Sequence, residues 1–266
     1  MLNILQEIAE KTVQRVAEEK RKVPIAEIRK RAEGCRRKKD FPFEAALKKE
    51  GLSFICEVKK ASPSKGIIAE DFPYVKIAEA YEKAGEDALS VLTEPYYFQG
   101  SNRYLEEIRA HSGLPILRKD FTVDEYMIYE AKVLGADAVL FICAILADAQ
   151  LAEYVQLAKS LGMSALVEAH DSEEVERAIA CGASIVGVNN RNLKDFSVDI
   201  ENSVRLRKMV PKEILFVSES GIQTPQDVQV LVENGTDGVL IGETLMRSGN
   251  VQETLAQMRK GKDDAG

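Results

Sequence analysis

The sequence predicts an α/β fold: a (β/α)8 barrel with an N-terminal helical extension. Three observations predict it. After residue 50, eight short apolar runs alternate with segments of helical spacing, the pattern of a parallel sheet. A glycine mark recurs about every 50 residues, in Gly85-Glu86-Asp87-Ala88, Gly135-Ala136-Asp137-Ala138, Gly182-Ala183-Ser184-Ile185 and Gly235-Thr236-Asp237-Gly238. Such a glycine can end a helix in the left-handed conformation, and the marks fall before strands two, four, six and eight, as four βαβα quarters require. Charged and polar residues follow most of the apolar runs, where barrels carry their chemistry. A doubly wound open sheet is the alternative, but no G-x-G-x-x-G follows the first strand.

Residues 3–22 place Leu5, Ile8, Ala9, Val13 and Val16 near helical spacing among Glu, Lys and Arg, an amphipathic helix. Pro24 stops it, and further helices are expected at 25–31 and 43–49. Residues 1–50 lack a core of their own, so they are expected to pack as an extension on a barrel spanning 51–258, with a polar tail at 259–266. Strands are expected at 53–58, 88–92, 115–117, 138–142, 165–168, 185–188, 214–217 and 238–241, and helices between them at 74–83, 124–134, 151–161 and 225–232, among others. Expected helix starts are Thr122 ahead of Asp124-Glu125, Asp171 ahead of Glu173-Glu174, and Thr224-Pro225 with proline in the first turn.

The chain has 266 residues, room for one large barrel or two small domains. With 36 basic and 43 acidic side chains its net charge is −7, which argues against a general nucleic-acid binder but leaves room for a local positive pocket. The basic runs Lys20-Arg21-Lys22 and Arg36-Arg37-Lys38-Lys39 read as solvated faces. Cys35, Cys56, Cys143 and Cys181 form no C-x-x-C pair and suit reduced thiols, and two histidines, His111 and His170, are few for a metal centre. Charge at Glu7 comes too early for a signal peptide, and no apolar run approaches the ~20 residues of a membrane span. A soluble, cytoplasmic protein without a resident metal is expected.

The stretch Glu57-Val58-Lys59-Lys60-Ala61-Ser62-Pro63-Ser64-Lys65-Gly66 stands out. Strand alternation puts Ser53, Ile55, Glu57 and Lys59 on one face, so a carboxylate and an ammonium either open onto a polar pocket or form a surface ion pair before a turn. The other strand ends read Thr93-Glu94, Lys119-Asp120, Glu168, Asn189-Asn190-Arg191, Glu219-Ser220-Gly221 and Gly242-Glu243. Leu117 with Lys119, Leu166 with Glu168, and Val217 with Glu219 alternate onto one face, so an apolar layer gives way to charge at the top. Lysines and glutamates converging there would shift one another's pKa values, equipment for proton transfer. Gly221 and Gly242 follow strands seven and eight, where barrels often hold phosphate, and Arg191 with Ser62 or Ser64 could assist. Glu243 is an awkward neighbour for phosphate, so its side chain is expected to turn away. His170 reads as a loop residue. Tyr96-Tyr97-Phe98 and Phe121 either line an aromatic-binding wall or simply pack.

Read together, the segments Glu57 to Ser64, Ser90 to Glu94, Leu117 to Phe121, Leu166 to His170, Gly187 to Leu193, Ser218 to Ile222 and Gly242 to Met246 resemble the indole-3-glycerol phosphate synthases of tryptophan biosynthesis. The likeness covers nearly the whole chain. Ala169 varies within the segment Leu166 to His170 and leaves the charged residues in place. The resemblance implies a monofunctional lyase that turns 1-(2-carboxyphenylamino)-1-deoxyribulose 5-phosphate into indole-3-glycerol phosphate, CO2 and water. It implies Lys119 as acid in ring closure, Lys59 as partner of the substrate carboxylate and candidate acid in dehydration, and Glu168 as base or charge stabiliser. Glu57 would assist dehydration. Asn189, Glu219 and Ser220 would orient the ketone and hydroxyls, and Ser62, Arg191, Gly221 and Gly242, with Glu243 beside them, would form the phosphate site. Phe98 and Phe121 would face the aromatic ring. No cofactor, nucleic acid or membrane partner is implied, and a monomer or weak homo-oligomer is expected. A Schiff-base aldolase using Lys119 or Lys59 is a second enzymatic reading, and a catalytically silent sensor of phosphorylated metabolites a third.

Overall fold

The structure is a computed structural model that describes residues 4–37, 39–192 and 196–263; Lys38, Leu193 and residues 264–266 of the expected tail lie outside it. Eight parallel strands close into a barrel: β1 Ser53–Val58, β2 Ala88–Leu92, β3 Ile116–Lys119, β4 Ala138–Ile142, β5 Ser164–Ala169, β6 Ile185–Asn189, β7 Leu215–Glu219 and β8 Gly238–Ile241, with β8 hydrogen-bonded back to β1. Among the described residues three helices precede the barrel, α1 Ile4–Lys22, α2 Ile25–Gly34 and α3 Pro42–Leu47. The connecting helices are α4 Tyr74–Lys83, α5 Asn102–His111, α6 Glu125–Leu134, α7 Asp148–Ser160, α8 Ser172–Ala180, α9 Glu201–Arg207 and α10 Pro225–Glu233, and the single turn α11 Glu243–Met246 and α12 Val251–Asp263 end the chain. No helix among the described residues is long and apolar enough to cross a membrane.

The strands are buried on both faces, which is why they read as continuous apolar runs. Inward-facing Ile55, Leu117, Leu140, Leu166, Val217 and Leu240 fill the barrel together with Phe43 and Leu47 of α3 and Leu5 and Ile8 of α1. The opposite strand faces pack against the helical ring. Helix α3 plugs the N-terminal end: Ser53 Oγ donates to the Ala46 carbonyl at 2.9 Å, and a Cβ on Gly238 would lie 2.8 Å from Leu47 Cδ2. The other end is left to α1 and the strand-end loops, including a hairpin that pairs Ala61–Ser62 with Gly66–Ile67.

The four repeat glycines all have left-handed φ, from 75° at Gly235 to 88° at Gly135, as a helix-to-strand turn demands. Asp171 accepts from the Glu174 N–H at 3.0 Å, and Thr224 forms a capping box with Asp227 behind Pro225. The expected cap at Thr122 is corrected. Asp124 caps α6 by accepting the Tyr126 N–H at 2.9 Å, because the helix starts at Glu125 and leaves Thr122 two residues short of the free amides. Helix α12 also runs to Asp263, past the boundary expected at 258. Arg259 fastens it, donating to the carbonyls of Ala84 and Gly85 at 2.7 Å and to Glu86 at 2.9 Å.

Candidate active site

Barrel register sets the site. Glu168 pairs across the ladder with Ile142 and Gly187, and Asn189 with Glu219, so these strand ends reach one level. Lys119, ending β3, reaches across the barrel to Glu168 Oε2 at 2.9 Å and Glu219 Oε2 at 2.8 Å. Lys59, just past β1, meets Glu57 Oε1 at 2.5 Å. Asn189 Nδ2 donates to Glu168 Oε1 at 3.4 Å, and Asn189 Oδ1 accepts the Arg191 N–H at 3.0 Å. All of these line one cavity of about 880 Å³, counting its open mouth, together with Ser62, Ser64, Phe98, Phe121, Ser220 and Glu243. Phe98 and Phe121 form one wall, their ring centres 6.1 Å apart.

Two glycines make room for the carboxylates. A Cβ on Gly187 would lie 2.3 Å from Glu219 Oε1, and one on Gly242 2.6 Å from Glu57 Oε1 and 3.0 Å from Lys59 Nζ. Any side chain there would displace the acids from their lysines.

The cluster holds two ammoniums against three carboxylates, so one carboxylate lacks a full counter-charge. Burial alone would lower the Lys119 pKa, but Glu168, Glu219 and Glu57 outweigh it and hold the ammonium well above its ordinary value. Burial alone would raise Glu168, but Lys119 and then His170 pull it down to about 2. Glu219 is left with the deficit: burial, only partly offset by Lys119 and reinforced by Glu168, pushes it up to about 7. Its Oε1 is buried without a hydrogen-bond partner, in the space a side chain at Gly187 would fill.

Around the residues expected to hold phosphate the structure corrects one expectation. Glu243 does not turn away. It sits 3.7 Å from Arg191, 3.3 Å from Arg247 and 3.8 Å from Lys65, because three cations attract the nearest carboxylate. Gly221 and Gly242 line a cleft beside the main cavity with Arg191, Ser220, Glu243, Thr244 and Arg247. Ser220 and Gly221 both have positive φ, 67° and 84°, and a Cβ on Gly221 would lie 2.5 Å from Val198.

Not every polar strand end belongs to the rim. Glu94 is fully buried and accepts the N–H groups of Tyr96, Tyr97 and Phe98 at 2.7 to 2.9 Å, so it builds the loop. Asn190 turns outward to Ser203, Ser218 and the Ser220 carbonyl. Asp120 borders the cavity, but its carboxylate is held by Arg15 and Thr93. Tyr97 leaves the wall for Glu7 on α1, donating its hydroxyl at 2.6 Å, and Tyr96 is exposed. Sequence reasoning missed Ile4, Leu5 and Ile8, which bring α1 into the cavity lining. Their signal was the apolar stripe of α1, which fits core packing equally well. His170, expected in a loop, does lie between β5 and α8, and its Nε2 stands 3.6 Å from Glu168 Oε1.

Comparison with known proteins adds to this geometry. The family model described as indole-3-glycerol phosphate synthase matches residues 5–258. The indole-3-glycerol phosphate synthase of Ruminiclostridium cellulolyticum is 55% identical over 256 residues, covering 96% of this chain and 98% of its own. That of Endomicrobium trichonymphae is 56% identical over 224 residues, 84% of this chain and 87% of its own. A thiamine phosphate pyrophosphorylase structure from Pyrococcus furiosus superposes with a TM-score of 0.59 at 14% identity over 80% of this chain and 96% of that one, a likeness of fold alone. With its lysines and glutamates gathered in the mouth of a closed barrel, and family similarity running along nearly its whole length, the chain belongs to the indole-3-glycerol phosphate synthase family.

Proposed function

We propose that this cavity carries out the family's reaction, closing the indole ring of 1-(2-carboxyphenylamino)-1-deoxyribulose 5-phosphate with loss of CO2 and water. The observation that carries the reading is Lys119, buried between two glutamates and facing an apolar pocket. An ammonium kept charged in a dry site is a positioned acid for the alkoxide that forms when the ring carbon attacks the ketone. Glu168 stabilises charge at the anilino nitrogen or takes its proton. Glu219, near neutrality, and Asn189 orient the ketone and hydroxyls, with Ser220 beside them.

Lys59 pairs with the substrate carboxylate and, with Glu57, serves the dehydration; their 2.5 Å contact lets a proton pass between them. Arg191, Ser62 and the backbone at Gly221 and Gly242 hold the phosphate, which would compete with Glu243 for Arg191. Phe98 and Phe121, with Leu5 and Ile8, enclose the aromatic ring. The Schiff-base alternative is disfavoured for Lys119, because a lysine held protonated by two carboxylates is a poor nucleophile. Buried Cys56, Cys143 and Cys181 are free, with thiols pushed up by burial, in keeping with a reducing, cytoplasmic setting.

The test is direct. Purified protein is mixed with the carboxyphenylamino-deoxyribulose phosphate and indole fluorescence is followed, against a low background since the chain has no tryptophan. Product should appear. Silence from folded protein that demonstrably binds the substrate would overturn the reading.

A further inference from the structure

We propose that His170 is a positioning residue that supplies protons to the site, recharging Lys119 through Glu168 between turnovers. The inference rests on the reading of Lys119 as the acid of ring closure.

The geometry forms a line. His170 directly follows β5, and its Nδ1 lies 3.1 Å from Glu174 Oε2 on α8, the same oxygen that accepts the His170 backbone N–H at 2.8 Å. A carboxylate there accepts the Nδ1 hydrogen and sets the orientation of the ring. The far nitrogen, Nε2, then faces Glu168 Oε1 at 3.6 Å, buried and without a hydrogen-bond partner. That separation is an ion-pair distance, of the kind that tightens when a catalytic complex forms. The other oxygen of Glu168 contacts Lys119 Nζ at 2.9 Å. A ring needed only for packing would not leave a buried nitrogen unpartnered against a second carboxylate.

Outward, the ring borders a cleft shared with exposed Asp171, Asp199 and Arg205. Its side chain is 18% exposed, so water reaches the edge of the ring, while Nε2 itself is buried. The groups facing it are Glu168 from β5, Glu219 from β7, Glu174 from α8, and Arg191 and Arg205 across the cleft; Asn202 of α9 donates to its carbonyl at 3.0 Å. Burial opposes charging, but Glu174 and Glu168 outweigh it and raise the imidazolium above its ordinary value.

The proton balance requires such a supply. A substrate carboxylate leaves as CO2 with its bonding pair left on the ring, the ketone oxygen takes two protons and departs as water, and the carbon beside nitrogen gives one up. Each turnover therefore consumes one proton net. When Lys119 protonates the alkoxide it is left as a neutral amine. His170 Nε2 passes its proton to Glu168 Oε1, a half-turn of the carboxyl presents that proton to Nζ, and Nε2 of the neutral imidazole regains one from water admitted from the cleft between turnovers.

The test is rapid mixing of the full-length His170→Asn variant with substrate, following both the first and later turnovers. The first turnover should stay within about twofold of wild type, because Lys119 starts charged, while steady-state turnover falls about tenfold and KM changes less than twofold. Added imidazole should restore steady-state turnover in His170→Gly. The wild type should lose steady-state rate as pH rises through the imidazolium's range, and the variant should lack that limb. A wild-type steady-state rate in His170→Asn overturns the proposal, as does a first turnover slowed by the same factor as the later ones, which would mark a structural role. Substantial turnover in Lys119→Met would instead sink the acid assignment beneath it, so the two failures are distinguishable.

Discussion

Lys119 shows how one side chain organises its neighbours. Its ammonium is worth burying only because two carboxylates lie within 3 Å, and those carboxylates diverge because they share it. Lys119→Met is expected to cut kcat by about 10²- to 10⁴-fold while substrate still binds, as read by kinetics and by titration of binding. A second prediction concerns a residue with no side chain. Gly187→Ala should push Glu219 off Lys119 and lower kcat by about 10²-fold, with KM nearly unchanged and the circular dichroism spectrum intact. Normal kcat would mean that Glu219 has slack the geometry does not show. Lys119, Glu168 and Glu219 were legible in the sequence because strand alternation places each two residues above an inward leucine or valine. Gly187 as a space-maker was not, because its reason lies on the neighbouring strand.

At the scale of elements, α1 belongs to the barrel mouth. Leu5 and Ile8 enter the cavity lining, and Arg15 makes two hydrogen bonds to Asp120 at 2.9 and 3.0 Å, one residue from Lys119. Lys20 adds a 2.6 Å contact to Asp124 at the start of α6. Arg15→Met should therefore cost stability of about 2–3 kcal/mol, less than for a wholly abandoned charge because Thr93 and Arg118 still hold Asp120. It should also raise KM several-fold as α1 loosens over the site. Chemical denaturation and steady-state kinetics on the one variant test both, and a stability loss without a KM change would confine α1 to packing. The amphipathic stripe revealed the helix, but nothing local to it named the loop between β3 and α6 as the docking partner.

For the whole molecule, acid is the informative stress. Burial alone would raise Asp120, but Arg15 and Arg118 outweigh it and hold the carboxyl below its ordinary value. A depressed folded-state pKa means a stabilising contribution present in full above the unfolded value, ~3.9, and lost as pH falls through the folded one. The gap in Tm between wild type and Asp120→Asn should therefore be widest near neutral pH and close below about pH 4. A gap constant across that range would show that Asp120 acts by shape rather than charge. By itself, the sequence determined the eightfold alternation, the glycine-marked quarters and the identity of the charged strand ends, because these rest on chain stiffness, side-chain alternation and turn chemistry within a few residues. Tertiary structure alone decided which charges meet. Closure of the barrel joins Lys119 to partners on β5 and β7, sends Glu94 and Asn190 into loop-building, turns Glu243 towards Arg191, lays α1 across the mouth and sets His170 against Glu168. Those contacts depend on distances between strands far apart in the chain, which no local pattern encodes.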